Sequence, residues 1–250
     1  VQTVTEKELT NDSRWHLNMI IDLREIPILY MNMEEDTRRY RDINLLFDDL
    51  VEDHGFNRKN FYRIPGNTRN PIKANGVSEA HLAAMEFSKQ FDGPFLVLED
   101  DVELASFYPT INVPDDADAV YLGTMSEGLD FHGPYPVYPE RPNNGITVNV
   151  IPDVYPDNPE LYRVLSMTGG QSILYITNVF RTIVENSCKW GIEQNTCHDT
   201  YLATVQRLAY VYCPNQPMFI NKTCRWDSTF CLEQAFYDKG RPYVPDKPSS

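Results

Sequence analysis

Basic residues are scarce in this chain. Lys and Arg number 22 against 36 Asp and Glu in 250 residues, which leaves a net charge of −14 and an isoelectric point of about 4.7. A protein that grips a nucleic-acid backbone displaces counterions with a basic face, so nucleic acid is not the expected partner. Small anionic ligands stay open, because a bound divalent cation inverts the local field. Long apolar runs are also missing. None approaches the roughly 18 residues of a membrane span, and the first residues carry no apolar signal core. Cysteine is absent from the first three quarters: Cys188, Cys197, Cys213, Cys224 and Cys231 all fall in the last. Their odd number and the lack of any C-x-x-C spacing argue against a structural zinc knuckle. Reduced thiols in a cytoplasmic protein are the expectation, and one or two disulfides in an oxidising compartment are the alternative. A lumenal enzyme trimmed ahead of Val1 would share these features, and the sequons at Asn11 and Asn221 matter only in that setting. Three signatures are missing as well: G-x-x-x-x-G-K-[ST], G-x-G-x-x-G after a strand, and G-x-S-x-G. P-loop hydrolysis, Rossmann dehydrogenase chemistry and serine hydrolysis are therefore poor fits.

What is present suits a globular enzyme: 42% hydrophobic and 12% aromatic residues, in a length that buries a sizeable core. Residues 1–25 are polar and weakly patterned and read as a lead-in, with 26–250 as a single domain. The run Ile26–Asn32 predicts a buried strand. Asp36 or Thr37 then caps a helix whose Tyr40, Ile43, Phe47 and Leu50 share a face. Pro65-Gly66 and Asn70-Pro71 mark turns. Ser78-Glu79 opens a second helix with Ala84, Phe87 and Phe91 on one side. Strands follow at Phe95–Leu98, Asp118–Leu122, Ser172–Ile176 and Ala209–Cys213. Helices are expected after Thr177 or Asn178, with Val179, Ile183 and Val184 inward, and over Asp199–Leu208. Residues 134–159 hold seven of the 18 prolines and interleave Tyr135, Tyr138 and Tyr155, a binding-loop composition unsuited to a core strand. Short apolar strands alternating with helices predict an α/β fold, a mainly parallel sheet covered on both faces.

The chemistry concentrates where Phe95-Leu-Val-Leu runs into Glu99-Asp100-Asp101. A buried strand ending in three carboxylates delivers them to the carboxyl edge of the sheet, where open α/β sheets bind ligands. Adjacent carboxylates repel unless a positive group sits among them, and Mg²⁺ or Mn²⁺ prefers such oxygen donors. A solvated acidic turn, or a helix start favoured by the macrodipole, is the plainer alternative. Glu34-Glu35-Asp36, Asp48-Asp49 and Asp115-Asp116 lack the apolar lead-in. His198-Asp199 is a second candidate, with Asp199 as an N-cap or first-turn acid in the plainer reading. His81 sits inside a helix, where packing is the default. Arg38, Arg39 and Arg41 could pair with phosphates or simply form a charged face.

The order of these pieces resembles glycosyltransferase family 25, the group of lipopolysaccharide and collagen galactosyltransferases. The resemblance runs from Ile28-Leu-Tyr-Met-Asn32 with Asp36, Arg38 and Arg39, through Gly76-Val-Ser78-Glu-Ala-His81-Leu82, to Leu96-Val-Leu-Glu99-Asp100-Asp101-Val102. It continues with Val120-Tyr-Leu122-Gly123, Gly169-Gly-Gln-Ser-Ile-Leu-Tyr175 and Asp199, and spans about residues 26–227. It departs in the split Ser78–His81 pair, in His198 before Asp199 and in the Pro/Tyr-rich segment.

The resemblance implies a GT-A-like, Rossmann-type fold and a metal-dependent, inverting transfer of a hexose or pentose from a UDP-sugar. The acceptor would be a hydroxyl of an oligosaccharide or glycoprotein. It implies Mn²⁺ or Mg²⁺ held by Asp101 and Asp100 with His198 as a further ligand, and Asp199 as general base. Asn32, Arg38, Arg39, His81, Glu99 and Asp100 would contact the nucleotide sugar. The Pro/Tyr-rich segment has no counterpart in the family; its aromatic faces and hydroxyls make Tyr135 and Tyr138 the acceptor-binding candidates, with a structural loop packing its tyrosines on the sheet as the plainer alternative. A metal-dependent phosphohydrolase using Glu99–Asp101 and a non-catalytic carbohydrate-binding protein of the same fold are the alternatives.

Overall fold

The computed structural model describes residues 18–66, 70–123, 149–152, 161–214 and 217–221. The expected Pro/Tyr-rich acceptor residues Tyr135 and Tyr138 lie outside them. The central sheet has eight strands: β2 (Ile28–Met33), β3 (Phe61–Gly66), β4 (Phe95–Glu99), β7 (Ala119–Tyr121), β8 (Asn149–Pro152), β9 (Leu161–Ser166), β10 (Ser172–Tyr175) and β11 (Val211–Pro214). Their spatial order is β3-β2-β4-β10-β7-β11-β9-β8. The pairs β2–β3, β2–β4 and β7–β11 are parallel, while β10 runs against both β4 and β7, and β9 against β11 and β8. Most strands thus share one direction, and β10 and β9 oppose it. The result is the α/β sheet expected, with two reversals that a run of apolar residues does not reveal.

Two small antiparallel ladders flank the sheet, β1 (Asn18–Asp22) with β6 (Thr110–Pro114), and β5 (Val102–Leu104) with β12 (Phe219–Asn221). The stretch read as a lead-in therefore contains a paired strand. β3 takes in Pro65-Gly66, read from the sequence as a turn. It forms the sheet's outer edge, where proline's missing N–H costs no ladder bond.

Among the described residues the α-helices are α1 (Thr37–Glu52), α2 (Lys73–Ser88), α3 (Asn178–Gln194) and α4 (His198–Val205). Asp36 caps α1 by accepting from the Arg39 N–H, and Thr177 caps α3 by accepting from Val179. On α1 the buried face is Ile43, Leu46, Phe47 and Leu50, with Tyr40 at its exposed margin. On α3, Phe180 and Val184 point inward while Val179 is 52% exposed, so the expected inward face is rotated by one residue. The start of α2 lies five residues ahead of Ser78, which instead sits within the helix and donates to the Ala74 carbonyl.

The pleat sorts the core. Ile28, Tyr30, Leu96 and Leu98 pack with the α1 face. Leu29, Met31, Phe95 and Val97 pack with Ala80, Ala84 and Met85 of α2, Phe180 and Val184 of α3 and Leu202 of α4. Successive side chains of a strand point to opposite faces, which is why Ile28–Met31 of β2 and Phe95–Leu98 of β4 are apolar without interruption: both faces are covered there.

Candidate active site at the carboxyl edge of the sheet

The same alternation continues past the last apolar residue and divides the acidic run. Asn32 and Asp100 follow the even-numbered residues towards α1, and Glu99 follows the odd-numbered ones towards α2 and α4. Asn32 Nδ2 donates to Asp100 Oδ2 at 2.7 Å, and Arg39 Nη1 of α1 donates to Asp100 Oδ1 at 2.8 Å. Arg39 Nη2 lies 3.4 Å from Asp101 Oδ2, and its Nε 3.6 Å from Asp36 Oδ2. Arg63 of β3 closes the group by donating to Asn32 Oδ1 at 2.7 Å while its guanidinium lies over the Tyr40 ring. Burial works against the Arg39 charge, but the Asp100 hydrogen bond and the Asp101 and Asp100 charges outweigh it and raise its pKa. The positive group expected among the adjacent carboxylates is therefore Arg39, which pairs with Asp100 and Asp101. Arg38 points away, 69% exposed, and lies 3.8 Å from Asp42.

On the other face, Glu99 Oε1 lies 3.5 Å from Nε2 of His81, which is 1% exposed. The His81 ring lies against His198, with centroids 4.5 Å apart, and His198 Nδ1 is 3.2 Å from Ser78 Oγ. Asp199 sits in the first turn of α4, where its Oδ2 accepts from the Gly169 N–H at 3.0 Å. It is a first-turn acid with an orienting partner, not the cap, which is Cys197. The turn that aims it is tight. Asn195 ends α3 in the left-handed region (φ 54°), and its Oδ1 accepts from Asn75 of α2. A side chain at Gly191 would come within 3.0 Å of His198 Cα, so glycine there lets α4 start directly against α3.

Burial sets the protonation on this side. Burial, then the Asp199 and Asp100 charges, push Glu99 up to about 7, with Arg39 opposing. Burial pulls His81 down to about 4, against the pull of Asp199. His198 is lowered by burial and by His81. Both imidazoles are thus neutral at physiological pH, while Glu99 can hold or release a proton there.

The structure brings together Asn32, Arg39, Asp100 and Asp101 on one side, and His81, Glu99, His198 and Asp199 on the other. His198 is joined to α2 through Ser78 and His81. Among the described residues no set of three or more His, Cys, Asp or Glu forms a metal cluster. Asp100 and Asp101 nevertheless offer adjacent carboxylate oxygens that already hold one cationic group, a donor chemistry that fits a hard divalent cation. Arg63 and Ser78 were not legible as site residues. Arg63 lies in a basic stretch with no distinguishing spacing, and Ser78 reads as a helix start.

No family model and no curated protein sequence matches the chain. Among solved structures it is similar to a glycosyltransferase involved in the glycosylation of the major capsid of PBCV-1, with 13% identity and a TM-score of 0.45. That alignment covers 83% of this chain and 95% of the other. It is also similar to the nucleoside-diphosphate-sugar pyrophosphorylase from Vibrio cholerae RC9, with 12% identity, a TM-score of 0.38, and 85% and 82% of the two chains covered. Likenesses this slight carry no functional argument, so the functional reading rests on the residues. No helix among the described residues is long and apolar enough to cross a membrane.

Proposed function

We propose that the chain is a glycosyltransferase that moves a hexose or pentose from a UDP-sugar to an acceptor hydroxyl with inversion, as the motif order of family 25 implies. The observation that carries this reading is the division of the edge. A cation-holding pair, Asp100–Asp101, stands on one side, and two carboxylates, Glu99 and Asp199, stand on the other. A group transfer from a nucleoside diphosphate needs both. The leaving diphosphate must be neutralised, and the attacking hydroxyl must lose a proton.

In this reading Asp100 and Asp101 hold Mn²⁺ or Mg²⁺, which when bound supplies Lewis-acid neutralisation of the leaving group. Arg39 binds diphosphate oxygens from the first turn of α1. Asn32, tied to Asp100 and Arg63, keeps the donor side in register. Asp199 takes the acceptor proton, held in orientation by the Gly169 N–H. Glu99 and His81 line the wall between the two halves. A single carboxylate base and one in-line displacement invert the anomeric centre. UDP-galactose is the first donor to try, with UDP-glucose and UDP-xylose next, and an oligosaccharide or glycoprotein is the acceptor class.

Titration calorimetry with UDP, with and without Mn²⁺, tests the donor half, with ADP and GDP as controls. Asp199→Asn tests the base: the transfer rate falls by about 10²–10⁴ while UDP affinity stays. A rate within about tenfold of the parent would remove Asp199 from that role.

A further inference from the structure

The first turn of α1 carries two arginines and no acid. A helix N-terminus disfavours cations, so both positions need compensation. Arg38 finds it in solvent and Asp42. Arg39 is turned inward instead, 28% exposed, against Asp100 and Asp101, whose side chains are only 7% and 10% exposed. Its guanidinium nitrogens lie between three carboxylates, at 2.8, 3.4 and 3.6 Å from Asp100, Asp101 and Asp36. The other oxygen of Asp100 is taken by Asn32. A divalent cation on this carboxylate pair and a guanidinium 2.8 Å from Asp100 Oδ1 would place like charges in contact. One has to leave.

We propose that Arg39 is the resident counter-ion of the Asp100–Asp101 pair, displaced by the divalent cation and handed over to the donor's diphosphate. This inference rests on the donor-site reading above. The geometry suits an exchange. The Arg39 backbone N–H is fixed by the Asp36 cap at 2.9 Å, so the Cα stays put while the long side chain swings. Asp36 Oδ2 stays beside the guanidinium as a holding point. In the absence of nucleotide Arg39 competes with the metal. Once a diphosphate is present, its oxygens accept Arg39, and metal and nucleotide each favour the binding of the other.

Mn²⁺ binding to the full chain, followed by electron paramagnetic resonance without nucleotide, tests this directly. Arg39→Gln should bind Mn²⁺ about tenfold more tightly than the parent, while its UDP affinity at saturating Mn²⁺ falls by about as much. Opposite movements of the two affinities are not what a merely structural arginine would produce. Should Arg39→Gln not fold, Arg39→Lys decides. Its ammonium lacks the fork that spans both carboxylates, so Mn²⁺ affinity should rise several-fold. An unchanged or weaker Mn²⁺ affinity in whichever variant folds overturns the exchange. Failure of every protein to bind Mn²⁺ while UDP still binds overturns the exchange and the metal assignment but leaves the donor site. Loss of both ligands in the parent overturns the donor-site reading itself.

Discussion

Asn32 and Asp100 lie 68 residues apart in sequence and are joined by a 2.7 Å hydrogen bond across the ends of two parallel strands. Asn32 is also the acceptor for Arg63, so one buried amide links β2, β3 and the turn after β4. Removing it leaves a buried carboxylate oxygen without its donor, at a cost of about 1–3 kcal/mol. Asn32→Ala should therefore lower the melting temperature and weaken UDP binding together. A scan with and without UDP reads both, and an unchanged melting temperature would mean that the amide is dispensable.

Gly170 has no room for a side chain. A Cβ there would come within 2.9 Å of Cε1 of buried His81 and 3.6 Å of Glu99 Oε1. Gly170→Ala should cost about 1–3 kcal/mol through overpacking and depress transfer by disturbing Glu99 and His81. Thermal melts and steady-state rates check it. Gly169, at φ 88°, is constrained by its backbone instead, and alanine there is strained whatever the space.

The pH dependence of stability has opposing parts. Glu99 is raised from 4.5 to about 7, so between those values the folded state binds more protons and this carboxyl's contribution falls as pH rises. His81 is lowered from 6.5 to about 4, and His198 is lowered as well, so the unfolded state takes up protons first as pH drops below 6.5. The protein should lose stability on acidification below that value. Glu99→Gln removes the opposing part. It should melt above the parent at pH 8, with the gap closing by about pH 5, as a series of melts across that range would record.

A stability change far from the site provides the control. Buried Asp118 accepts from the Tyr210 N–H at 2.8 Å and from the Thr177 hydroxyl, tying β7 to the start of α3 and to the segment before β11. Asp118→Ala should cost about 1–3 kcal/mol by leaving those donors unpaired. At about 2–4 °C per kcal/mol the drop is easily measured. UDP affinity at a temperature well below the transition should stay at the parent value.

The sequence made β2, β4 and β10 legible because strands buried on both faces are written as unbroken apolar runs. It also showed that Glu99–Asp101 would reach the carboxyl edge. It did not show that the three would part company, because that depends on where the pleat of β4 stops and which helix waits on each side. The reversal of β10 is equally silent, since Ser172–Tyr175 reads the same in either direction. The β1–β6 and β5–β12 ladders escaped notice because their short strands mix polar and apolar residues. Ser78 became a partner of His198 only when α2 began five residues earlier than its capping residues suggested.

The reversal of β10 also bears on how the protein can be re-engineered. Because β10 runs against β4, the segment that enters it, Met167–Gln171, arrives at the edge that β4 leaves. It is pinned at Met167 by Gln206, at Gly169 by Asp199, and at Gln171 by the Glu99 N–H. A surface loop absorbs an inserted residue by bulging outward. Here an insertion would slide the backbone past three anchors, and the misalignment would pass to Glu99 and Asp199 together. Library design should therefore hold the length of 167–171 fixed and vary composition elsewhere along the rim.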